Sequence, residues 1–189
     1  MYLKKIELII KNPVKFFSQA KKEKNLKDAF FYYGFLSIVS MLGISLIYFL
    51  AYNYSLNIPY GTYLGVPMQD FNPITTYIFT LINIFISSFI VHIFVRLLKG
   101  KGNYADSFKA FAYGSTPSLL LGWVPGAGIV FSLWSIYLII KGLSILHKMS
   151  MVRALVAALM IFVVLIVISI LLAGVAYFYI SSLLQAQPI

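Results

Sequence analysis

The chain has 189 residues, 61% of them hydrophobic and 11% charged, with a net charge of +10 and no cysteine. Soluble domains average about half apolar and about a quarter charged, so this composition excludes an ordinary soluble protein, and the missing cysteine excludes disulfides and thiol chemistry. One small bundle uses the whole length, which leaves no room for a separate soluble domain.

Residues 1–28 come first and carry the eight lysines Lys4, Lys5, Lys11, Lys15, Lys21, Lys22, Lys24 and Lys27. Leu3, Ile6, Ile9 and Ile10 make one apolar face. Asn12-Pro13 then supplies an N-cap and a proline at the first helical position, opening a segment with Val14, Phe16, Phe17 and Ala20. The pattern predicts two short amphipathic helices lying in the headgroup plane, with their lysines on anionic lipid headgroups.

Five apolar runs follow, at about 29–52, 74–98, 107–124, 126–146 and 152–184, and residues 185–189 form a short external tail. A helix needs about 20 residues to cross the hydrocarbon layer. The first, second and fifth runs meet that length, whereas the apolar stretches of the third and fourth, Ala110–Val124 and Ala127–Ile140, are short, meet at Pro125-Gly126 and reach spanning length only with flanking polar residues. Two full spans are favoured there, with a re-entrant hairpin as the alternative, since either returns the chain to the same side. The predicted fold is all-α: a polytopic membrane bundle of five helices preceded by interfacial amphipathic helices.

The remaining basic residues are Arg96, Lys99, Lys101 and Lys109, then Lys141, Lys148 and Arg153. The connections Tyr52–Pro73 and Trp123–Gly126 contain none. Lys/Arg-rich loops stay cytoplasmic. The chain is therefore expected to be a multi-pass protein of the cell membrane, N-terminus cytoplasmic and C-terminus outside. With every basic residue facing one leaflet, anionic lipid is the expected partner, and no nucleic acid.

Within the membrane, close packing of small residues holds helices together. Ala110, Gly114, Ser118 and Gly122 recur at four-residue intervals, and Gly128, Ser132, Ser135 and Gly142 share a face of the next run. These faces are predicted to meet as a tight hairpin. Pro117 cannot donate to the carbonyl of Tyr113, which predicts a kink, with Ser115 and Thr116 placed to satisfy freed backbone groups. Thr76, Thr80, Asn83 and Ser87 share one face of the second span. An amide near mid-membrane is expected to face the bundle and find a partner there. His92, one turn before Arg96, reads as structural or interfacial rather than as a proton relay. The five carboxylates, Glu7, Glu23, Asp28, Asp70 and Asp106, all fall outside the apolar runs. No metal-ligand spacing, nucleophile–base pair or phosphate loop appears, so no catalysis, metal or cofactor is expected.

Tyr113-Gly114-Ser115-Thr116-Pro117, Gly126 and Gly128, the stretch from Tyr137 through Lys141-Gly142-Leu143, and His147-Lys148-Met149-Ser150 together resemble the membrane domain of the Yip family, the Ypt/Rab-interacting proteins. Asn12-Pro13 followed by Phe16-Phe17 is similar to prokaryotic members. The resemblance implies a five-span, N-inside layout with Tyr113, Gly114, Pro117 and Gly142 as motif residues. Eukaryotic relatives bind Rab-type GTPases; their Asp-Leu-Tyr/Trp-Gly-Pro motif does not occur here, and residues 1–28 stand where they carry a long N-terminal region. The expected function is a non-enzymatic membrane organiser or adaptor for proteins or lipids, with a second copy or a cytoplasmic protein as further partners. The alternative is a small transporter, channel or lipid-moving protein with a path near Asn83 and the Pro117 kink.

Overall fold

The computed structural model describes residues 2–23, 25–53 and 72–185. Lys24, most of the connection Tyr52–Pro73 and residues 186–189 of the expected tail lie outside them. Regular structure among the described residues is helical throughout: α1 (Tyr2–Lys11), α2 (Pro13–Ala20), α3 (Lys27–Asn53), α4 (Pro73–Leu97), α5 (Tyr104–Gly114), α6 (Thr116–Leu121), α7 (Gly128–Leu146) and α8 (Met151–Gln185).

Helix boundaries follow from local chemistry. Proline cannot continue a helix but suits its first turn, so Pro13 and Pro73 open α2 and α4. Asn12 accepts from the Lys15 amide at 3.1 Å, and Asn72 accepts from the Ile74 and Thr75 amides. Asn103 and Asp106 form a capping box at the start of α5. At the far ends of α4 and α7, Lys99 and Lys148 adopt left-handed conformations (φ 63° and 51°). Each is followed by a Schellman bond, Gly100 N to Val95 O at 2.8 Å and Met149 N to Ser144 O at 3.0 Å. The two capped ends are joined by Lys101 N donating to His147 O at 2.9 Å.

The protein is a multi-pass membrane bundle. Four stretches, Lys27–Leu50, Pro73–Leu97, Gly128–Leu146 and Met151–Val175, are long and apolar enough to cross a membrane. The third apolar run is divided instead into α5, of 11 residues, and α6, of 6. The break falls at Ser115, two residues before the proline. Thr116 Oγ1 donates to the Tyr113 carbonyl at 2.6 Å, satisfying the group that Pro117 leaves without a donor.

α5 lies at the centre, packed on α3, α4 and α7. Its seven buried residues run from Ser107 to Ala110 and from Ala112 to Gly114. The buried core, including Tyr32, Phe108, Tyr113, Leu143 and Leu146, gathers toward the end of the bundle that carries Lys27, Lys99, Lys101 and Lys148, here called the basic end. Away from it, Ile166, Val167, Ile168, Ile170, Leu171 and Leu172 on α8 are exposed large apolar side chains, as suits a surface facing lipid tails.

Small residues set the pairing of α5 and α6 with α7. A Cβ added at Gly114 would lie 2.8 Å from the Ile139 amide nitrogen, and one at Gly142 would lie 3.2 Å from the Ala110 Cα. Farther along, Ser118 N donates to Ser135 Oγ at 2.8 Å, and a Cβ on Gly128 would meet the Gly122 carbonyl. Ser132 departs from the expected seam and is exposed. Its position on the helix wheel lies at the margin of the face, which turns away where the helices close on Ser135.

Candidate functional site

The most elaborate polar arrangement lies at the basic end, where α1 and α2 strap across α5 and α7. Much of the amphipathic face of each helix is turned onto protein rather than into the headgroup plane: Ile9, Phe16, Phe17 and Ala20 are buried in the bundle core, while Leu3 and Val14 stay exposed. An amphipathic stripe has the same period whether it covers lipid or protein, so sequence alone could not choose. Gly142 decides part of it. The Phe17 ring occupies the space beside it, 2.8 Å from where a Cβ would be.

Tyr113 is the centre of the clamp. Its ring meets Phe16 edge-on at 4.8 Å and Tyr32 at 5.2 Å between centroids. Its hydroxyl donates to Glu23 Oε2 at 2.7 Å and accepts from Lys5 Nζ at 3.3 Å. Lys5 also pairs with Glu23 Oε1 at 3.1 Å, and its ammonium lies 5.2 Å from the Tyr113 ring centroid. Buried Lys109 donates to the Glu23 carbonyl and lies 3.7 Å from Asp106. Charged hydrogen bonds of this kind are stronger than neutral ones when shielded from water. Lys21 completes the strap, donating to the Leu146 carbonyl at 2.8 Å, where helix carbonyls otherwise lack donors.

The membrane-surface lysines therefore divide into two groups. Lys5 and Lys21 turn inward and anchor the strap, contrary to the expectation of a headgroup role. Lys4, Lys11, Lys15, Lys22 and Lys27 stay exposed, with Lys11 paired to Glu7 at 2.8 Å. The motif residues Tyr113, Gly114, Pro117 and Gly142 are all buried in this region, where Tyr113 and Gly142 contact the strap directly.

A second polar chain adjoins the first. Ser107 Oγ lies 2.9 Å from both His92 Nδ1 and His147 Nε2, so it bridges the two rings. His147 is fully buried, and its Nδ1 has no hydrogen-bond partner. A Cβ on Gly102 would lie 2.5 Å from that nitrogen, so only glycine lets the loop close over the ring. Burial pushes the His147 pKa down to about 4.

Asn83 lies elsewhere. It is exposed on α4, and Ser87 of its own helix donates to its Oδ1 at 2.9 Å, which corrects the expectation that it faces the bundle. The groove beside it is lined by Tyr33, Thr76, Phe79, Thr80 and Asn83, without Tyr113 or Pro117, so Asn83 and the break at Pro117 do not share a path there.

Sequence reasoning overlooked Glu23, Lys109 and His147 as site residues. The available signal was the four-residue spacing of Lys109 and Tyr113, which puts both on one helix face. Among the described residues no group of three metal-ligating side chains occurs. No curated protein and no solved structure matches the chain. A family model, the Yip1 domain, matches residues 6–185, nearly the whole length and all of the clamp but Lys5, and the chain accordingly belongs to the Yip1 domain family.

Proposed function

We propose that this protein is a non-enzymatic membrane adaptor that displays a lysine-rich strap at the cytoplasmic face. The supporting observation is the division of lysines. Lys5 and Lys21 fix the strap to the bundle, while Lys4, Lys11, Lys15 and Lys22 are held exposed on a rigid platform. Such a platform suits an anionic membrane surface or an acidic protein segment. Three of the five carboxylates support a non-catalytic role, since each serves a structural bond: Glu7 is bonded to Lys11, Glu23 to Tyr113 and Lys5, and Asp106 to the α5 cap.

The test is binding of the purified full chain, reconstituted in vesicles with one exposed face, to acidic partners cross-linked in native membranes. Replacing Lys4, Lys11, Lys15 and Lys22 by Gln should abolish the recovered cross-links without changing the melting temperature. Cross-links unaffected by the four substitutions would contradict the reading. Orientation is tested separately. Cysteines at Asn57 and Gln187 should react with an impermeant reagent outside sealed cells, whereas one at Asn103 should not; outside labelling of Asn103 would reverse the topology.

A further inference from the structure

The groove between α3 and α4 has a composition unusual for a surface facing hydrocarbon. Its lining is Tyr33, Thr76, Phe79, Thr80 and Asn83, around a volume of ≈ 510 Å³. Thr76 and Thr80 donate to the carbonyls of Asn72 and Thr76, so those hydroxyls are satisfied within the helix. Asn83 is different. A side-chain amide offers two N–H donors and two acceptor lone pairs, and among the described residues its hydrogen-bond partner is Ser87, which takes one lone pair. Asn83 lies about 15 Å from the Pro73 end of α4 and about 21 Å from the Leu97 end, at 1.5 Å per residue. At that depth no water is at hand to satisfy the amide, and leaving it unpaired is costly.

We infer that this groove binds the polar portion of an uncharged glyceride lipid, with Asn83 donating to an ester carbonyl and accepting from the free glycerol hydroxyl. Among the described residues no acidic, basic or histidine side chain lines the groove, so they offer a phosphate or ammonium headgroup at mid-membrane depth no counter-charge. A glyceride needs none. It brings two carbonyl acceptors and one hydroxyl, which match the two free donors and the free lone pair of Asn83. The Thr76–Asn83 wall extends about 10 Å along the helix, giving a polar track from the end of α4 to mid-span, while Phe79 offers an apolar wall for the chains. The inference does not depend on the adaptor reading.

The test uses the full chain in phosphatidylcholine vesicles containing a few mole per cent of a photoactivatable diacylglycerol, with cross-linked peptides mapped by mass spectrometry. Labelling should fall on α3 and α4 beside the groove, and unlabelled diacylglycerol should compete at least tenfold better than phosphatidylglycerol. N83L should reduce labelling at least fivefold, as should the smaller change N83A if N83L melts early, and N83Q should retain most of it. Labelling elsewhere, equal competition by phosphatidylglycerol, or labelling indifferent to N83L would overturn the proposal. So would efficient disulfide formation between two copies of N83C, which would make the groove a seam between protein helices.

Discussion

Replacing Gly142 by leucine is expected to lower the melting temperature in detergent by about 5–10 °C, corresponding to on the order of 3 kcal/mol. Two neighbours would have to move at once. A Cβ there would lie 2.8 Å from the Phe17 ring of the strap and 3.2 Å from the Ala110 backbone of α5. Gly114→Leu should cost at least as much, because its nearest obstacles include the amide nitrogen and Cα of Ile139, at 2.8 and 2.9 Å, and backbone inside a helix cannot give way. Two controls fix the interpretation. Gly174, with nothing within 4 Å of an added Cβ, and exposed Ser132 should both accept leucine with shifts near zero. Equal melting temperatures for all four variants, read by dye-free scanning fluorimetry, would show that the α5–α7 contact and the strap do not depend on these glycines.

Lowering the pH from about 7 to 4 should destabilise the bundle through His147. Its folded pKa, pushed down to about 4 by burial and further by His92, Lys21 and Arg96, with Asp106 opposing, lies below the unfolded value of about 6.5. The neutral ring is therefore the form the fold keeps. Its contribution is fully present above the unfolded pKa and is lost as pH falls toward the folded one, because the unfolded chain takes up a proton that the folded chain excludes. The loss amounts to about 3 kcal/mol by pH 4. Carboxylates titrate in the lower part of this window, so the comparison is with His147→Gln, which retains a partner for Ser107. The variant should show a flatter melting temperature between pH 6.5 and 4.5. An unchanged slope would mean that His147 is hydrated or charged in the native bundle.

What was legible in the sequence follows from the range of the interactions. Caps and breaks are local: Asn12-Pro13 marks the start of α2, and the kink expected at Pro117 lies two residues from the break at Ser115. The hairpin is nearly local, so the four-residue spacing around Gly114 and the shared small-residue face that includes Gly142 pointed to their contacts. The strap is not local: Lys5, Glu23 and Tyr113 are separated by up to 108 positions, and no periodicity reveals that a carboxylate beyond α2 meets a tyrosine in a later helix. Charge clustering treated Lys5 and Lys21 like their exposed neighbours, although each reaches an acceptor brought near only by folding. Asn83 misled for a related reason. Its chemistry called for a partner, and the assumption that the partner lies within the bundle ignored Ser87 one turn away and the groove outside.

Motion of a spin label at exposed Ser18 discriminates most directly between a strap clamped on protein and one adsorbed to lipid. In anionic vesicles the label should stay restricted when salt is raised to 1 M, where charges more than about 3 Å apart are screened, and when Lys4, Lys11, Lys15 and Lys22 are changed to Gln. Glu23→Ala, which strips the acceptor from both Tyr113 and Lys5, should release it. Restriction that disappears with salt yet survives the loss of Glu23 would contradict the clamp and return residues 2–20 to the membrane surface.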